Sequence, residues 1–307
     1  MHDNGLLKFY RDYADRQGQL KAYELFSDCN TRNINSAIKV YYTRNGDLSK
    51  KYFEKFCGFA RKNVLNAEII QSQVFKDKGL TTAIYTPSVT EYGQSCVISN
   101  GITTETSNKM GNFLVKCLED FVISYSPYSK QYNITPNDIE FDKLFKPNAM
   151  KKFILGHALD VAGGNVDRHT GNFEVELGKT ESGLDIIEDI IYYDFGNTIF
   201  EFPEEQENLY YFTNGLGFGV DQNRGSMIAI LRNSPHILEH YSPDELAEII
   251  GGTDVTQIAR EYKEQANFEI DKQFLYRIEK SYYNMAQDLV NGVPEDGLIQ
   301  DLVNGMQ

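Results

Sequence analysis

Two short stretches decide how this chain folds: Gly164-Asn165-Val166-Asp167-Arg168-His169-Thr170-Gly171-Asn172, and Tyr193-Asp194-Phe195-Gly196. Between them lie Phe173, Val175 and Leu177 in alternation, a polar turn around Gly183, and the apolar run IIEDIIYYDF. Alternation predicts a strand, and glycine suits a reversing turn. Paired residue numbers in an antiparallel hairpin have a constant sum, and the midpoint of Asn172 and Asp194 is Gly183. The spacing therefore predicts a hairpin of residues 172–178 with 187–194. Asn172 enters the first strand where Asp194 leaves the second, so both stand at the open end. Asp167, on the loop just before Asn172, reaches the same end.

Upstream, AMKKFILGHALDVA (residues 149–162) carries Ile154, Ala158 and Val161 at helical spacing and is closed by Gly163-Gly164. A second helix is expected over residues 112–125. The first third reads as strands around one helical region. LKAYELF (20–26), SAIKVYY (36–42), 82–89 and 94–99 have strand character. Helical spacing runs through 52–65 and 66–78, with Val64, Ala67, Ile70 and Val74 on one face and Gly79 as terminator. From about Arg224 the chain reads as helical. The hexapeptide QDLVNG, present at 287–292 and 300–305, is too little repetition for a solenoid.

The chain of 307 residues has 41% hydrophobic and 24% charged residues, a globular composition. No apolar run approaches the ~20 residues of a membrane-spanning helix, and residues 1–18 show no secretory pattern. Cys29, Cys57, Cys96 and Cys117 are dispersed, which together with the missing export signal predicts free thiols and a cytoplasmic location. A net charge of −14 argues against direct nucleic-acid contact. Nothing in the sequence indicates an oligomeric state.

Two carboxylates and a carboxamide at one hairpin end suit Mg2+, which takes one or two carboxylates plus phosphate oxygens and water. The third group can orient or deprotonate an attacking hydroxyl, the division of labour in kinase phosphoryl transfer. D-R-H-x-x-N followed by D-F-G resembles the catalytic and metal-binding loops of the HipA-like and phosphatidylinositol-kinase-like branches of the protein-kinase-like fold, with GNVDRHTGNFEV closest to HipA-like kinases. In those branches the loop histidine follows the aspartate, as His169 follows Asp167. The resemblance implies Asp167 as the catalytic aspartate, Asn172 and Asp194 as metal ligands acting in catalysis, and His169 as a loop brace.

The same template implies a strand lysine for the ATP phosphates and a helix glutamate to orient it. Ala37-Ile38-Lys39-Val40 matches the V-A-I-K pattern, and Glu68 lies in the prominent helix. Lys39 and Glu68 are thus the expected pair. A hinge is expected around Val97–Gly101, with Val97 and Ser99 beside the adenine. The segment SDCNTRNIN (27–35), where kinases carry a glycine-rich loop, contains no glycine. The resemblance covers about residues 20–200. It implies an α+β, two-lobed kinase-like fold, with a strand-rich N-lobe over 1–100 and a helical C-lobe over 101–307. The implied activity is ATP- and Mg2+-dependent transfer to a hydroxyl, first of a protein serine or threonine, then of a lipid or small molecule.

Two other readings compete. A pseudokinase or nucleotide-binding regulatory module would keep the fold without turnover. His236-Ile237-Leu238-Glu239-His240 spells H-x-x-E-H, an inverted zinc-hydrolase pattern. That segment is bounded by Ser234-Pro235 and Ser242-Pro243, which leaves two turns at most and no room for a third ligand on the same element.

Overall fold

The computed structural model describes residues 31–33, 36–42, 51–56, 62–89, 95–100, 145–165, 168, 172–183, 185–196, 198, 211–212, 222–223, 228, 231–233, 235–266 and 269–292. The expected strand at 20–26 and helix at 112–125 lie outside these residues, as do Asp167 and His169.

A small antiparallel sheet comes first. Its strands are β1 (Thr31–Asn33), β2 (Ser36–Tyr42), β3 (Lys51–Phe56), β5 (Tyr85–Val89) and β6 (Ser95–Asn100), in the order β1-β2-β3-β6-β5. Strand β1 falls inside the stretch expected to be an open loop. Asn33 pairs with Ser36, so only Ile34-Asn35 connect the two strands. Helix was expected from residue 52, but Lys51–Phe56 (KYFEKF) is strand β3, and helix α1 starts later, at Lys62–Asp77. The aromatic residues Tyr52, Phe53 and Phe56 suit a pleated surface, and pairing with β2 on one side and β6 on the other outweighs a weak helical period.

Helix α1 is buried nearly all round: Val64, Ala67, Ile69, Ile70, Val74 and Phe75 are in the core, and so are the polar Asn66, Glu68, Gln71 and Ser72. It ends in a Schellman motif. Gly79, at φ 78°, donates its amide to the Lys76 carbonyl (3.0 Å), and Leu80 donates to that of Phe75 (2.9 Å). The chain then crosses to a second sheet, where β4 (Thr81–Thr82) runs parallel to β8 (Asp185–Tyr192) and β8 pairs with β7 (Phe173–Lys179).

Helix α2 (Pro147–Gly163) packs across β8 and buries Ala149, Met150, Phe153, Ile154, Ala158 and Leu159 in the core. Gly164, left-handed at φ 65°, caps it by donating to the Asp160 and Val161 carbonyls. Gly156 makes room for β8, since a Cβ there would lie 2.3 Å from the Tyr192 hydroxyl. The remaining elements are a short ribbon, β9 (Tyr211–Phe212) with β10 (Gln222–Asn223), and helices α3 (Pro235–Leu238), α4 (Pro243–Gly251), α5 (Val255–Ala266) and α6 (Lys272–Asn291). Helix α6 lies against α2 and α4, burying Phe274, Ile278, Tyr282, Met285 and Leu289. Its Tyr282 hydroxyl donates to Gln71 Oε1 (3.1 Å), and Gln71 Nε2 donates to the Leu159 carbonyl (3.0 Å). Helix α1 is thereby fastened to α2 and α6 through buried polar groups. The architecture is mixed α+β, a small sheet joined to a mainly helical part. Among the described residues, no helix is long and apolar enough to cross a membrane.

Candidate active site

The β7–β8 hairpin forms as expected, with a register shift at Glu176/Leu177. Phe173 pairs with Tyr192, and beyond the bulge Lys179 pairs with Asp185, so the turn centres near Ser182 rather than Gly183. One extra residue in one strand shifts the pairing by one position. Asn172 consequently lies opposite Tyr193, whose amide donates to the Asn172 carbonyl (3.2 Å), and Asp194 follows immediately. Asn172 and Asp194 therefore do share the open end of the hairpin.

Asp194 has φ 58° and is the one non-glycine residue with positive φ among those described. A side chain in the left-handed region costs about 1–2 kcal/mol, so surrounding contacts must hold it there. Lys55 of β3 supplies the first: its ammonium bonds both Glu68 Oε1 and Asp194 Oδ1. The other Glu68 oxygen accepts the Phe195 amide (2.8 Å), and the Tyr85 hydroxyl accepts the Asp194 amide (2.9 Å). Gly196 closes the site. A Cβ there would lie 2.7 Å from Val64 Cγ1 and 3.1 Å from both Glu68 Oε1 and Lys55 Nζ.

Burial opposes the Lys55 ammonium, but the two carboxylates outweigh it and raise its pKa above the usual lysine value. Burial raises the Glu68 carboxyl despite the pull of Lys55, and the Asp194 charge adds to the rise. Burial also opposes the Asp194 charge, but Lys55 outweighs it and holds that carboxyl below its usual range. Glu68 is fully enclosed, whereas Asp194 keeps 17% of its side chain exposed. Asp194 is thus the carboxylate of the pair that a ligand can approach.

The lysine that the structure brings to Glu68 is on β3, whereas the expected one is on β2. Glu68 takes Lys55, not Lys39. In the β2–β3 ladder Lys55 is opposite Ile38, and Lys39 is opposite Glu54. In that register Lys39 is one position removed from the residue opposite Lys55. The V-A-I-K likeness lies on β2, the strand beside the one that carries Lys55. The signal for Lys55 was its nearness to the helix, only 13 residues before Glu68, on a segment with aromatic strand character. The described residues of the expected hinge belong to strand β6. Val97 and Ser99 are buried in β6, paired on one side with Lys55 and Phe53 and on the other with Pro87 and Tyr85. Neighbouring strands engage the backbone of both residues, and Gly101, the end of the expected hinge, lies outside the described residues.

Arg168 is a buried charged residue that the sequence pattern did not single out. It is 2% exposed, and its Nε and Nη2 reach Asp160 Oδ2 (2.7 Å) and Oδ1 (3.1 Å). Its Nη1 donates to the carbonyls of Asn172 and Tyr193 (2.6 Å for the latter), and its guanidinium lies 5.0 Å from the Phe195 ring centre. One side chain therefore ties α2, the loop and both hairpin strands together. Asn165 Nδ2 adds a bond to Asp160 Oδ1 (2.8 Å). Asp160, an acid on an otherwise apolar helix face, was the available clue. The zinc pattern does not form a helix face: α3 ends at Leu238, and His240 lies in the following turn.

No family model matches the sequence, and no curated protein matches it. Among solved structures the chain is similar to the proinflammatory kinase CtkA of Helicobacter pylori, with a TM-score of 0.50 and 13% identity, over 91% of this chain and 96% of that one. At that identity the likeness speaks for the fold, which is kinase-like.

Proposed function

We propose that this chain is an ATP- and Mg2+-dependent phosphotransferase of the HipA-like kind, acting on protein serine or threonine hydroxyls. The observation that carries the proposal is Lys55 held between Glu68 and Asp194 at the end of a hairpin that also presents Asn172. A strand lysine, a helix glutamate and a D-F-G aspartate are the three groups a kinase uses to orient ATP phosphates.

The residues fit nucleotide and metal. Asp194 is charged and partly open, Asn172 supplies a carboxamide oxygen, and hard oxygen donors suit Mg2+. Mg2+ held by Asp194 and Asn172 would neutralise charge on the phosphates during transfer. Lys55, kept charged by its two carboxylates, would hold the α- and β-phosphates. Asp167 would accept the proton of the attacking hydroxyl as its oxygen bonds to the γ-phosphorus and the bond to the β-phosphate oxygen breaks. The net charge of −14 favours a neutral or basic acceptor peptide over a polyanion.

The test is a thermal-shift titration with Mg-ATP beside a phosphoryl-transfer assay on serine- and threonine-containing peptides. Wild type should be stabilised by Mg-ATP, Asp194→Ala should lose the magnesium-dependent part, and Asp167→Asn should bind without turnover. Equal shifts in wild type and Asp194→Ala would refute the metal assignment. Binding with no transfer to any hydroxyl would leave a nucleotide-binding module.

A further inference from the structure

Two consecutive amides at the metal-binding turn are held by side chains from different elements. Glu68 of α1 accepts from Phe195, and Tyr85 of β5 accepts from Asp194 (2.9 Å). These bonds fix the peptide planes on either side of the Asp194 α-carbon, whose left-handed φ aims its carboxylate. Tyr85 is 5% exposed, packs edge-on against Phe195 with centroids 6.4 Å apart, and is itself anchored, since the Tyr262 hydroxyl of α5 donates to its carbonyl (2.7 Å). The chain of contacts runs from α5 through β5 to the Asp194 backbone.

We propose that Tyr85 is a positioning residue that sets the carboxylate of Asp194 for metal through the hydrogen bond to its amide, with Tyr262 holding Tyr85 in place. The proposal rests on the phosphotransferase reading for the identity of the ligand and on contact geometry for everything else. A bridging water could satisfy this amide, so the backbone does not require a tyrosine here. This chain instead spends a buried hydroxyl on it, one that also faces the Glu68 carboxylate. Burial first, and then the charges of Glu68 and Asp194, keep that hydroxyl protonated.

The experiment titrates ATP into the full chain by calorimetry, once with saturating Mg2+ and once with excess EDTA. It uses wild type, Tyr85→Phe and Tyr262→Phe. Phenylalanine keeps the ring against Phe195 and removes the hydroxyl, and with it both the acceptor for the Asp194 amide and the donor facing Glu68. The ratio of the two affinities, the magnesium gain, should fall about tenfold in Tyr85→Phe, as expected for one lost buried hydrogen bond. Affinity in EDTA should stay within about twofold, and Tyr262→Phe should lose about two- to threefold of the gain. In the ligand-free chain, the Asp194 amide should exchange with solvent faster in Tyr85→Phe by NMR.

An unchanged magnesium gain in both variants, with wild type showing one, would overturn the positioning role and leave the phosphotransferase intact. Equal weakening with and without Mg2+ would also overturn it, by reducing Tyr85 to a packing residue. Unchanged Asp194 exchange would overturn it without reference to nucleotide. Absence of ATP binding by wild type would remove the phosphotransferase reading and the metal role with it.

Discussion

Arg168 and Asp160 form a two-point ion pair from positions eight residues apart, both enclosed and both between the middle of α2 and the start of β7. Removing one partner of such a pair strands the other charge, which costs about 3–5 kcal/mol. Arg168→Leu should therefore lower the melting temperature by roughly 10 °C. Asp160→Leu/Arg168→Leu should recover part of the loss, since no isolated charge remains. Calorimetry on the single and double variants checks this, and a single-variant shift under about 2 °C would rule out the bracing role.

Lys55 and Lys39 make a clean comparison. Lys55→Met should reduce phosphoryl transfer on the order of a hundredfold or more, while Lys39→Met should stay within a few-fold of wild type. Glu68→Gln should reduce transfer too, and Lys55→Met/Glu68→Gln should be little worse than Lys55→Met, because Glu68 acts through Lys55. Steady-state kinetics with Mg-ATP decides it. A larger loss in Lys39→Met would return the phosphate role to β2.

Gly196→Ala should disturb the Lys55–Glu68–Asp194 cluster, since its new carbon would meet Val64 Cγ1 at 2.7 Å. Overpacking of this kind costs about 1–3 kcal/mol. Val64→Ala removes the obstructing methyl, so Val64→Ala/Gly196→Ala should be more stable than additivity predicts. The contacts to Lys55 and Glu68 persist, so recovery should be partial. Thermal unfolding of the four proteins gives the coupling, and strict additivity would show that the turn yields elsewhere.

His157 offers a pH-dependent readout. Burial lowers its pKa to about 4; Asp160 partly opposes this and Arg168 reinforces it, and the ring stacks on Phe153 at 5.6 Å. In the unfolded chain the imidazole titrates near 6.5. Between about pH 6.5 and 4 the unfolded state binds the extra proton, so stability is full above that window and falls as pH drops through it. The ring is only half-buried, which limits the loss to no more than about 3 kcal/mol. His157→Phe should flatten the pH dependence of the melting temperature over that range. Parallel curves for the two proteins would show that His157 is not held neutral by the fold.

Local pattern was enough for whatever depends on neighbours in the chain. The strand Ser36–Tyr42, the helix closed at Gly164, the Gly79 terminator and the hairpin that joins Asn172 to Asp194 were all legible in the sequence. Each follows from alternation, helical spacing or a glycine able to adopt positive φ. Tertiary structure alone decided which groups meet across that frame. Glu68 meets Lys55, a contact set by which strand packs beside the helix, and that depends on strand pairing. Tyr85 reaches Asp194 from 109 residues away, a contact that no local periodicity encodes. Arg168 looks like one more polar loop residue until α2 and the hairpin enclose it. Its partners, one carboxylate and two backbone carbonyls, exist as a set only after the chain has folded.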